Sequence, residues 1–370
     1  MTESIRERAR RAAERYVIPA AREADEKRVF RRDVLEALAS EGLVGACLPK
    51  EYGGGGLSNR EHLCIYEELG RADASVRGFV TVQVGLVAQC LLDWGSEEQK
   101  QRWLPKLCSL EAIGSYALTE PEAGSDVCAV QTTATDNKLT GHKWWITNGS
   151  VADFAIVFAR TGPDRRGGLT AFLVTELNAE RMDAAELGHR GSDHAELHFK
   201  ETPGEVLGGE GRGFEVAMGG LDHGRLGVAA GAVGLHQACL DAAVEHVRGR
   251  RQFGKRLGDF QLVQGDVADL ATELEASRAL VERAADLQDA GDPEAHRVTS
   301  MAKLYATEAA SRAAGKALLL LGARGYNNEF PVERHYRDAK GMEIYEGTSH
   351  IQRLIIARDL IGPDPERKAK

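Results

Sequence analysis

The first third of the chain follows a helical pattern of hydrophobic and polar positions. Alanine, arginine and glutamate dominate residues 4–26, and an apolar stripe recurs at helical spacing through residues 34–43. Ser96 with Gln99 three residues later forms a capping box, which marks the start of a further helix. The pattern predicts an N-terminal helical domain over residues 1–113.

The hydrophobic period changes near Gly114. Short runs rich in β-branched and aromatic residues follow, and clusters of Asn, Gly, Asp and Pro separate them. These runs are residues 144–147, 154–158, 169–174 and 195–199. They predict a middle domain at residues 114–213, built as a small antiparallel sheet or barrel.

From Gly213 the helical period resumes and continues towards the end of the chain. We expect long, alanine-rich helices at roughly 214–249, 258–290, 294–322 and 342–361. Because the connections between them are short, the pattern predicts an antiparallel four-helix bundle over residues 214–370. The fold class is therefore α+β, with a helical domain, a β domain and a helical bundle in that order.

Composition narrows the class of protein. Of the 370 residues, 43% are hydrophobic and 28% are charged, which is typical of a soluble globular protein. A net charge of -9 argues against a general nucleic-acid binder, which would need a basic face. The six cysteines lack the close spacing of a metal or redox pair, which indicates reduced thiols.

The sequence also bears on location. No apolar run is judged long enough to span a membrane. The first fifteen residues include three glutamates, and organellar transit peptides avoid acidic residues. We therefore expect a cytoplasmic protein.

One carboxylate near the end of the chain, Glu346, lies between Tyr345 and Gly347. Thr348 and Ser349 follow, and either can cap a helix by accepting a hydrogen bond from a free backbone N–H. The glycine allows a ligand to approach the backbone closely. Taken alone, the stretch is more typical of an ordinary loop glutamate before a capped helix.

Two segments of the middle domain are candidates for ligand contact. Residues 116–126 run from a strand end into a loop with Gly124 and Ser125, which offers backbone N–H groups and hydroxyls to a polar ring or a phosphate. Trp144 and Trp145 are adjacent in a predicted strand, so they should point to opposite faces. At most one of them can therefore stack on a ligand, and the other belongs to the core.

Two further groups of residues have polar chemistry. Residues 248–256 hold five positive charges, typical either of a solvated helix end or of a pyrophosphate clamp. His189, His194 and His198 are close in sequence, but no carboxylate or cysteine evidently completes a ligand set. We interpret the histidines as strand surface and predict no metal site.

In order and spacing, residues 116–126, 145–148, 250–261 and 345–348 together closely resemble the acyl-CoA dehydrogenases. The resemblance extends from about residue 41 to residue 362. Each motif alone is weak, but several independent motifs in register make the resemblance specific.

The resemblance implies FAD as the cofactor. The positions it places at the flavin or its phosphates are Leu118, Thr119, Gly124, Ser125, Trp145, Thr147, Thr348 and His350. The positions that hold the adenine half, typically of a neighbouring subunit's cofactor, are Arg250, Phe253 and Gln261. The positions on the substrate side are Ser125, Asp222, Arg225, Tyr345 and Gly347.

The resemblance also implies the chemistry. Glu346 matches the base that removes the α-proton of an acyl thioester while a hydride passes to the flavin, giving a trans-2-enoyl product. Some members place the base on the helix matching residues 221–225, where this chain has Gly224. The expected partners are an acyl-CoA, an electron-transfer flavoprotein and further copies of the chain, as a dimer or homotetramer.

Two departures and two alternatives accompany this interpretation. Leu319 and Ala323 stand where many relatives have a glutamine and a glycine, and His350 replaces a commoner glutamine or glutamate. One alternative is dehydrogenation of an acyl-carrier-protein thioester in a biosynthetic pathway, such as polyketide extender-unit formation. The other is a non-enzymatic flavoprotein on the same scaffold, against which Glu346 argues.

Overall fold

The N-terminal part of the chain is helical, as the sequence predicts. A computed structural model describes residues 3–182 and 186–362. The helices are α1 (Ile5–Ala12), α2 (Ile18–Lys27), α3 (Arg32–Ser40), α4 (Asn59–Ala72), α5 (Ala74–Val80), α6 (Gln89–Trp94) and α7 (Glu97–Ser109). Two π-helical segments make continuous joins, Ala13–Val17 between α1 and α2 and Thr81–Ala88 between α5 and α6.

Serine caps define three of these helix starts. Ser4, Ser58 and Ser96 each accept a hydrogen bond from a backbone N–H three residues later and form a full capping box. The capping box predicted at Ser96 and Gln99 is confirmed. Each box satisfies backbone N–H groups that the first helical turn leaves without an intrahelical partner.

A single mixed sheet follows the helices. Its strands are β1 (Gly114–Ala117), β2 (Thr133–Thr135), β3 (Lys138–Thr147), β4 (Phe154–Arg160), β5 (Leu169–Val174), β6 (Asn178–Arg181), β7 (His194–Pro203) and β8 (Glu205–Leu207). The strand order is β6-β7-β3-β2-β4-β5-β8, and β1 pairs with β4 off this path. Most strand pairs are antiparallel. Strands β1 and β2 run parallel to β4, and parallel neighbours need a crossover connection in place of a hairpin.

The sheet is buried on both sides of its central strands. In β4, Phe154, Ile156 and Phe158 join the core that the helices form. The alternate residues, Ala155 and Val157, belong to a second core on the other side of the sheet. The period-2 alternation of a strand therefore joins the helical core to a separate core of the middle domain.

The C-terminal part contains a helix that the sequence pattern does not anticipate. Its helices are α8 (Gly213–Gly249), α9 (Gln261–Asp289), α10 (Ala295–Leu321), α11 (Val332–Met342) and α12 (Ser349–Ile361), and a short hairpin of β9 (Arg251–Gln252) and β10 (Lys255–Arg256) follows α8. The single helix expected at 342–361 is wrong. The chain is helical to Met342, turns at residues 343–348, and starts a new helix at Ser349.

Helix α8 is the central element of the molecule. It packs against α4, α9 and α10, and it reaches the π-helical segment between α5 and α6. A Cβ added at Gly70 of α4 would lie 2.4 Å from the carbonyl oxygen of Gly231 on α8. The absent side chain therefore allows these two helix backbones to touch.

Two stretches of helix pass a length and composition test for crossing a membrane, contrary to the expectation that no run is long enough. They are Ala74–Trp94, of 21 residues, and Gly213–Gly249, of 37 residues. In their most apolar windows, 78% and 67% of the residues are buried inside the protein. Both stretches belong to the core described above, and core helices of folded domains pass the same test.

Candidate active site

Glu346 lies in the tight turn between α11 and α12. Its φ is 54°, a left-handed conformation that non-glycine residues seldom adopt, and the φ of Gly347 is 91°. The Gln352 side-chain amide donates to the carbonyl oxygens of Glu346 and Gly347, at 3.2 and 3.0 Å. Thr348 caps α12 by accepting from the Ile351 N–H at 3.3 Å, so the structure selects threonine of the two candidate caps.

Three cations surround this turn. Lys303 of α10 donates to the Gly347 carbonyl oxygen at 2.8 Å, and Arg225 of α8 donates to the Glu346 carbonyl oxygen at 3.4 Å. Arg77 of α5 donates to the hydroxyl of Tyr345. All three basic residues are buried, so the charges they carry act in a medium that screens them poorly. Burial also lowers the pKa of Lys303 to about 7, so this lysine is only partly protonated near neutral pH.

The Glu346 carboxyl oxygen Oε2 is enclosed although the residue as a whole is half-buried. Within the described part of the chain, Oε2 has no hydrogen-bond partner. Burial raises the pKa of Glu346 to about 7, against the lowering effect of Arg77, Lys303 and Arg225. A carboxyl with this pKa can both accept and release a proton near neutral pH.

Helix α8 touches this carboxyl at Gly224. A Cβ added at Gly224 would lie 2.2 Å from Glu346 Oε2 and 2.7 Å from a methyl carbon of Leu86. No side chain fits at position 224 while Glu346 keeps its present place. Gly224 has no side chain that could act as a base on α8, and the Glu346 carboxyl occupies the space that such a side chain would take.

The two polar residues predicted on the substrate side of α8 lie together behind the turn. Arg225 is buried, and it donates to Asp222 Oδ1 at 2.5 Å. The other carboxylate oxygen of Asp222 lies 2.7 Å from His296 Nδ1 on α10, and this contact raises the pKa of His296. The structure thus unites Asp222 and Arg225 with Tyr345, Glu346 and Gly347.

The tryptophan pair does not follow the regular strand alternation expected of it. The pairing of β3 with β7 shifts register between Lys143 and Ile146, and Trp145 has a left-handed φ of 56°. The Trp144 and Trp145 rings are 5.7 Å apart, so they do not point to opposite faces. Trp145 is the more accessible of the two, at 38% exposed, and the bulge is the reason that the prediction of opposite faces is wrong.

A buried ion pair holds the loop after β1. Lys143 is fully buried, and its Nζ donates to the Leu118 carbonyl at 3.1 Å and to Glu120 Oε1 at 2.7 Å. Glu120 in turn accepts from the backbone N–H groups of Gln131 and Thr132, at 2.6 and 3.0 Å. The base of the loop is therefore fixed, and the predicted cofactor residues of its exposed tip are Gly124 and Ser125.

The remaining predicted cofactor residues lie in different places. Thr119 accepts the Trp144 N–H at 2.9 Å, and Thr147 pairs with His194, so both belong to the middle domain. Arg250 is the residue just after α8 and comes 25 residues after Arg225. This separation corresponds to about 37 Å along the helix axis. Arg250, Phe253 and Gln261 are all exposed at that far end. The structure does not bring them to Glu346, and His350 is exposed on the first turn of α12.

Sequence reasoning missed the two cations that touch the residues flanking Glu346 from α5 and α10. Arg77 and Lys303 are both buried. The signal for Lys303 is its context, since α10 places it on a side of small buried residues that includes Ala302 and Ala306. A lysine among alanines on a buried helix face needs a partner, and here the partner is the Glu346 turn.

Comparison with known proteins finds one family along most of the chain. Family models for the acyl-CoA dehydrogenase N-terminal, middle and C-terminal domains match residues 2–111, 115–202 and 211–361. The chain is 39% identical over 370 residues to an acyl-CoA dehydrogenase of Bacillus subtilis, covering 97% of each chain.

Solved structures agree with the sequence relatives. The butyryl-CoA dehydrogenase of Megasphaera elsdenii superposes with a TM-score of 0.93 at 35% identity, covering 97% of both chains. The prolyl acyl carrier protein oxidase AnaB superposes with a TM-score of 0.92 at 30% identity, covering 96% of this chain and 97% of the other.

The contact at Gly224 leads to the first prediction. Gly224→Ala should reduce the catalytic rate by about 100-fold or more, because the new methyl group displaces the Glu346 carboxyl. The helix itself tolerates alanine, so the variant should fold. The matched control is Gly219→Ala on the same helix, where the nearest atom to the added Cβ is a Trp94 nitrogen at 3.4 Å. Equal activity of the two variants would contradict the proposed crowding.

The second prediction concerns pH. In the unsubstituted protein kcat/KM should rise through an acidic limb centred near pH 7, since the pKa of Glu346 is about 7 rather than the ordinary 4.5. Lys303→Met removes a side chain whose positive charge lowers this pKa, so the limb should move to higher pH, although Lys303 is itself only partly protonated there because burial lowers its pKa to about 7. Lys316→Met, on the same helix but paired with Asp266 and Asp269, should leave the limb in place. An unmoved limb in Lys303→Met would show that the lysine does not act on Glu346.

Proposed function

This chain belongs to the acyl-CoA dehydrogenase family, and on that premise we propose that Glu346 is the base that removes the α-proton of its acyl thioester. The chain is an oxidoreductase that acts on the CH–CH group of acyl thioesters, with FAD as its cofactor. The observation that supports the proposal most directly is that the enclosed Oε2 of Glu346 has no hydrogen-bond partner among the described residues, while burial raises the pKa of Glu346 to about 7.

The residues of the site suit this cofactor and reaction. Trp145 exposes a large aromatic surface beside the loop that Lys143 and Glu120 fix, which is the kind of surface that packs on a planar ring. When bound, FAD accepts the hydride that leaves the β-carbon of the substrate.

The proton path needs only residues of this chain. Glu346 Oε2 accepts the α-proton, and the electron pair of the broken C–H bond forms the new C=C bond as the β-hydride departs. The product is a trans-2-enoyl thioester. The buried cations Arg77, Arg225 and Lys303 limit the cost of the Glu346 negative charge before the reaction, while burial keeps the carboxylate basic enough to take a weakly acidic proton.

The substrate carrier has two candidates. The match to butyryl-CoA dehydrogenase supports an acyl-CoA, and we propose this first. The match to an acyl carrier protein oxidase at nearly the same TM-score supports an acyl-carrier-protein thioester as the second candidate. An electron-transfer flavoprotein, the acceptor that the family resemblance implies, would reoxidise the cofactor. The proposed location is the cytoplasm.

We also propose that the chain works as a homo-oligomer, a dimer or a tetramer. Large hydrophobic residues are exposed at the far end of the helical bundle, and four of them are more than four-fifths exposed: Phe253, Leu262, Leu319 and Tyr326. Arg250 and Gln261 lie beside Phe253, so the surface combines apolar area with a guanidinium suited to phosphate. A neighbouring chain and its cofactor would cover this surface.

The third prediction tests the base. Glu346→Gln keeps the size of the side chain but removes the proton acceptor, so flavin bleaching by every substrate should slow by about 10²–10⁴-fold. Anaerobic mixing with a panel of acyl-CoA and acyl-carrier-protein thioesters measures this rate and identifies the carrier at the same time. Glu343→Gln, three residues earlier at a glutamate paired with Lys340, is the control and should keep its rate. Retention of most of the rate by Glu346→Gln would refute the assignment.

The fourth prediction tests the assembly. Phe253→Asp introduces a charge on the proposed contact surface, so light scattering should show a smaller particle and the purified protein should contain less FAD. Ile18→Asp, at a position 53% exposed on α2, should change neither property. A Phe253→Asp protein of unchanged size and FAD content would show that this surface is not the contact.

A further inference from the structure

A group of metal-ligating side chains lies on one face of the middle sheet and has no part in the proposed reaction. His142 of β3 and His198 of β7 are directly opposite each other in the strand pairing. Glu196 precedes His198 by two residues, so its side chain points to the same face. None of the three takes part in the contacts of the Glu346 turn described above.

The three side chains converge. Their ligand atoms all lie within 4.8 Å of one another. His142 Nε2 is 2.8 Å from Glu196 Oε2, and His198 Nε2 is 3.6 Å from the same oxygen. The two imidazole rings stack face to face with centroids 4.3 Å apart and an angle of 14° between their planes, so a ring must rotate about its Cβ–Cγ bond before both Nε2 lone pairs point at one ion.

We propose that His142, Glu196 and His198 bind a divalent transition-metal ion of the zinc type. Zinc takes imidazole nitrogen and carboxylate oxygen at about 2.0–2.2 Å, so tetrahedral donors lie about 3.3 Å apart. The observed separations of 2.8 and 3.6 Å from the carboxylate oxygen bracket this value. The ion takes the place of the proton that His142 and Glu196 share, and water completes its coordination.

The surroundings favour a cation of this class. Strand β6 continues the same face, where Glu180 is opposite Glu196 and Asn178 is opposite His198. A second carboxylate therefore stands next to the first. Two imidazoles select zinc, copper or nickel over magnesium and calcium, which prefer oxygen ligands alone.

Metal binding at this face would join β3 to β7 by a bond that does not depend on the sheet's own hydrogen bonds. Because an ion that binds only the folded state stabilises it, zinc should raise the melting temperature of the protein. From the sequence, His198 groups only with His189 and His194, and no metal site is predicted. His142 is more than fifty residues before Glu196, and only the strand pairing brings them together.

Zinc titration of the FAD-loaded protein, after treatment with a chelator, tests the proposal. The unsubstituted protein should bind one zinc ion. The substitutions His142→Asn, Glu196→Gln and His198→Asn should each lower the affinity for zinc by about tenfold or more. His246→Asn, at a half-buried histidine of α8 outside this cluster, is the matched control and should bind as the unsubstituted protein does. Retained FAD shows that each variant is folded, because the cofactor requires the assembled middle domain.

Copper provides an independent readout of the ligands. Cu²⁺ binds such a site more tightly than Zn²⁺, and its electron paramagnetic resonance spectrum reports the number of coordinated nitrogens. The spectrum should show two imidazole nitrogens in the unsubstituted protein and one in either histidine variant. The proposal is overturned if no zinc binds at about 100 μM, if the three variants bind zinc as tightly as the control, or if the nitrogen count is the same in all of them.

Discussion

Three basic side chains place positive charge around Glu346, but none of them forms a salt bridge with the Oε2 atom of its carboxyl among the described contacts. Lys303 and Arg225 bind backbone carbonyl oxygens of the turn, and Arg77 binds the hydroxyl of the preceding tyrosine. A direct ion pair would lower the pKa of the carboxyl and occupy the lone pairs that must take a proton. Indirect anchoring supplies positive potential and leaves Oε2 available. Since the cations come from α5, α8 and α10, the packing of those helices determines the basicity of one residue.

The middle domain also holds a buried carboxylate next to a cation, but there the two groups form a direct ion pair. Lys143 and Glu120 are both buried and form a direct pair, and the carboxylate also receives two backbone N–H bonds. Both carboxylate oxygens of Glu120 thereby accept hydrogen bonds, and removing one member of such a buried pair typically costs about 3–5 kcal/mol. Such a pair suits a structural role, because it fixes the loop after β1 and ties the carboxylate to three donors. The contrast between Glu120 and Glu346 separates structural carboxylates from reactive ones in the same molecule.

Much of the architecture follows from local patterns in the sequence. Helical periodicity, serine caps and the change of period near Gly114 are all short-range signals, and they predict the order of helices and strands well. The failures occur where tertiary contacts override a local pattern. The bulge at Trp145 breaks the strand alternation expected there. The helix placed roughly at 342–361 begins only at Ser349, after the Thr348 cap that the local sequence does indicate.

The candidate site shows the same division. A motif near the end of the chain identifies Glu346, because its neighbours in sequence are distinctive. The cations around it come from residues 43 to 269 positions away, and no sequence spacing connects them to the turn. The cluster of His142, Glu196 and His198 is likewise a product of strand register, so pairing information is required before its geometry can be inferred.

The contact between Gly224 and Glu346 restricts how the position of the base could change during evolution. The two positions share one volume, since a Cβ at 224 would lie 2.2 Å from Glu346 Oε2. A chain with glutamate at both positions would therefore be crowded, and a chain with glycine at both would have no base at either. The route between the two arrangements passes through a poorly functioning ancestor unless the turn first moves away from α8. Each lineage would then tend to keep the base on the element where it first arose.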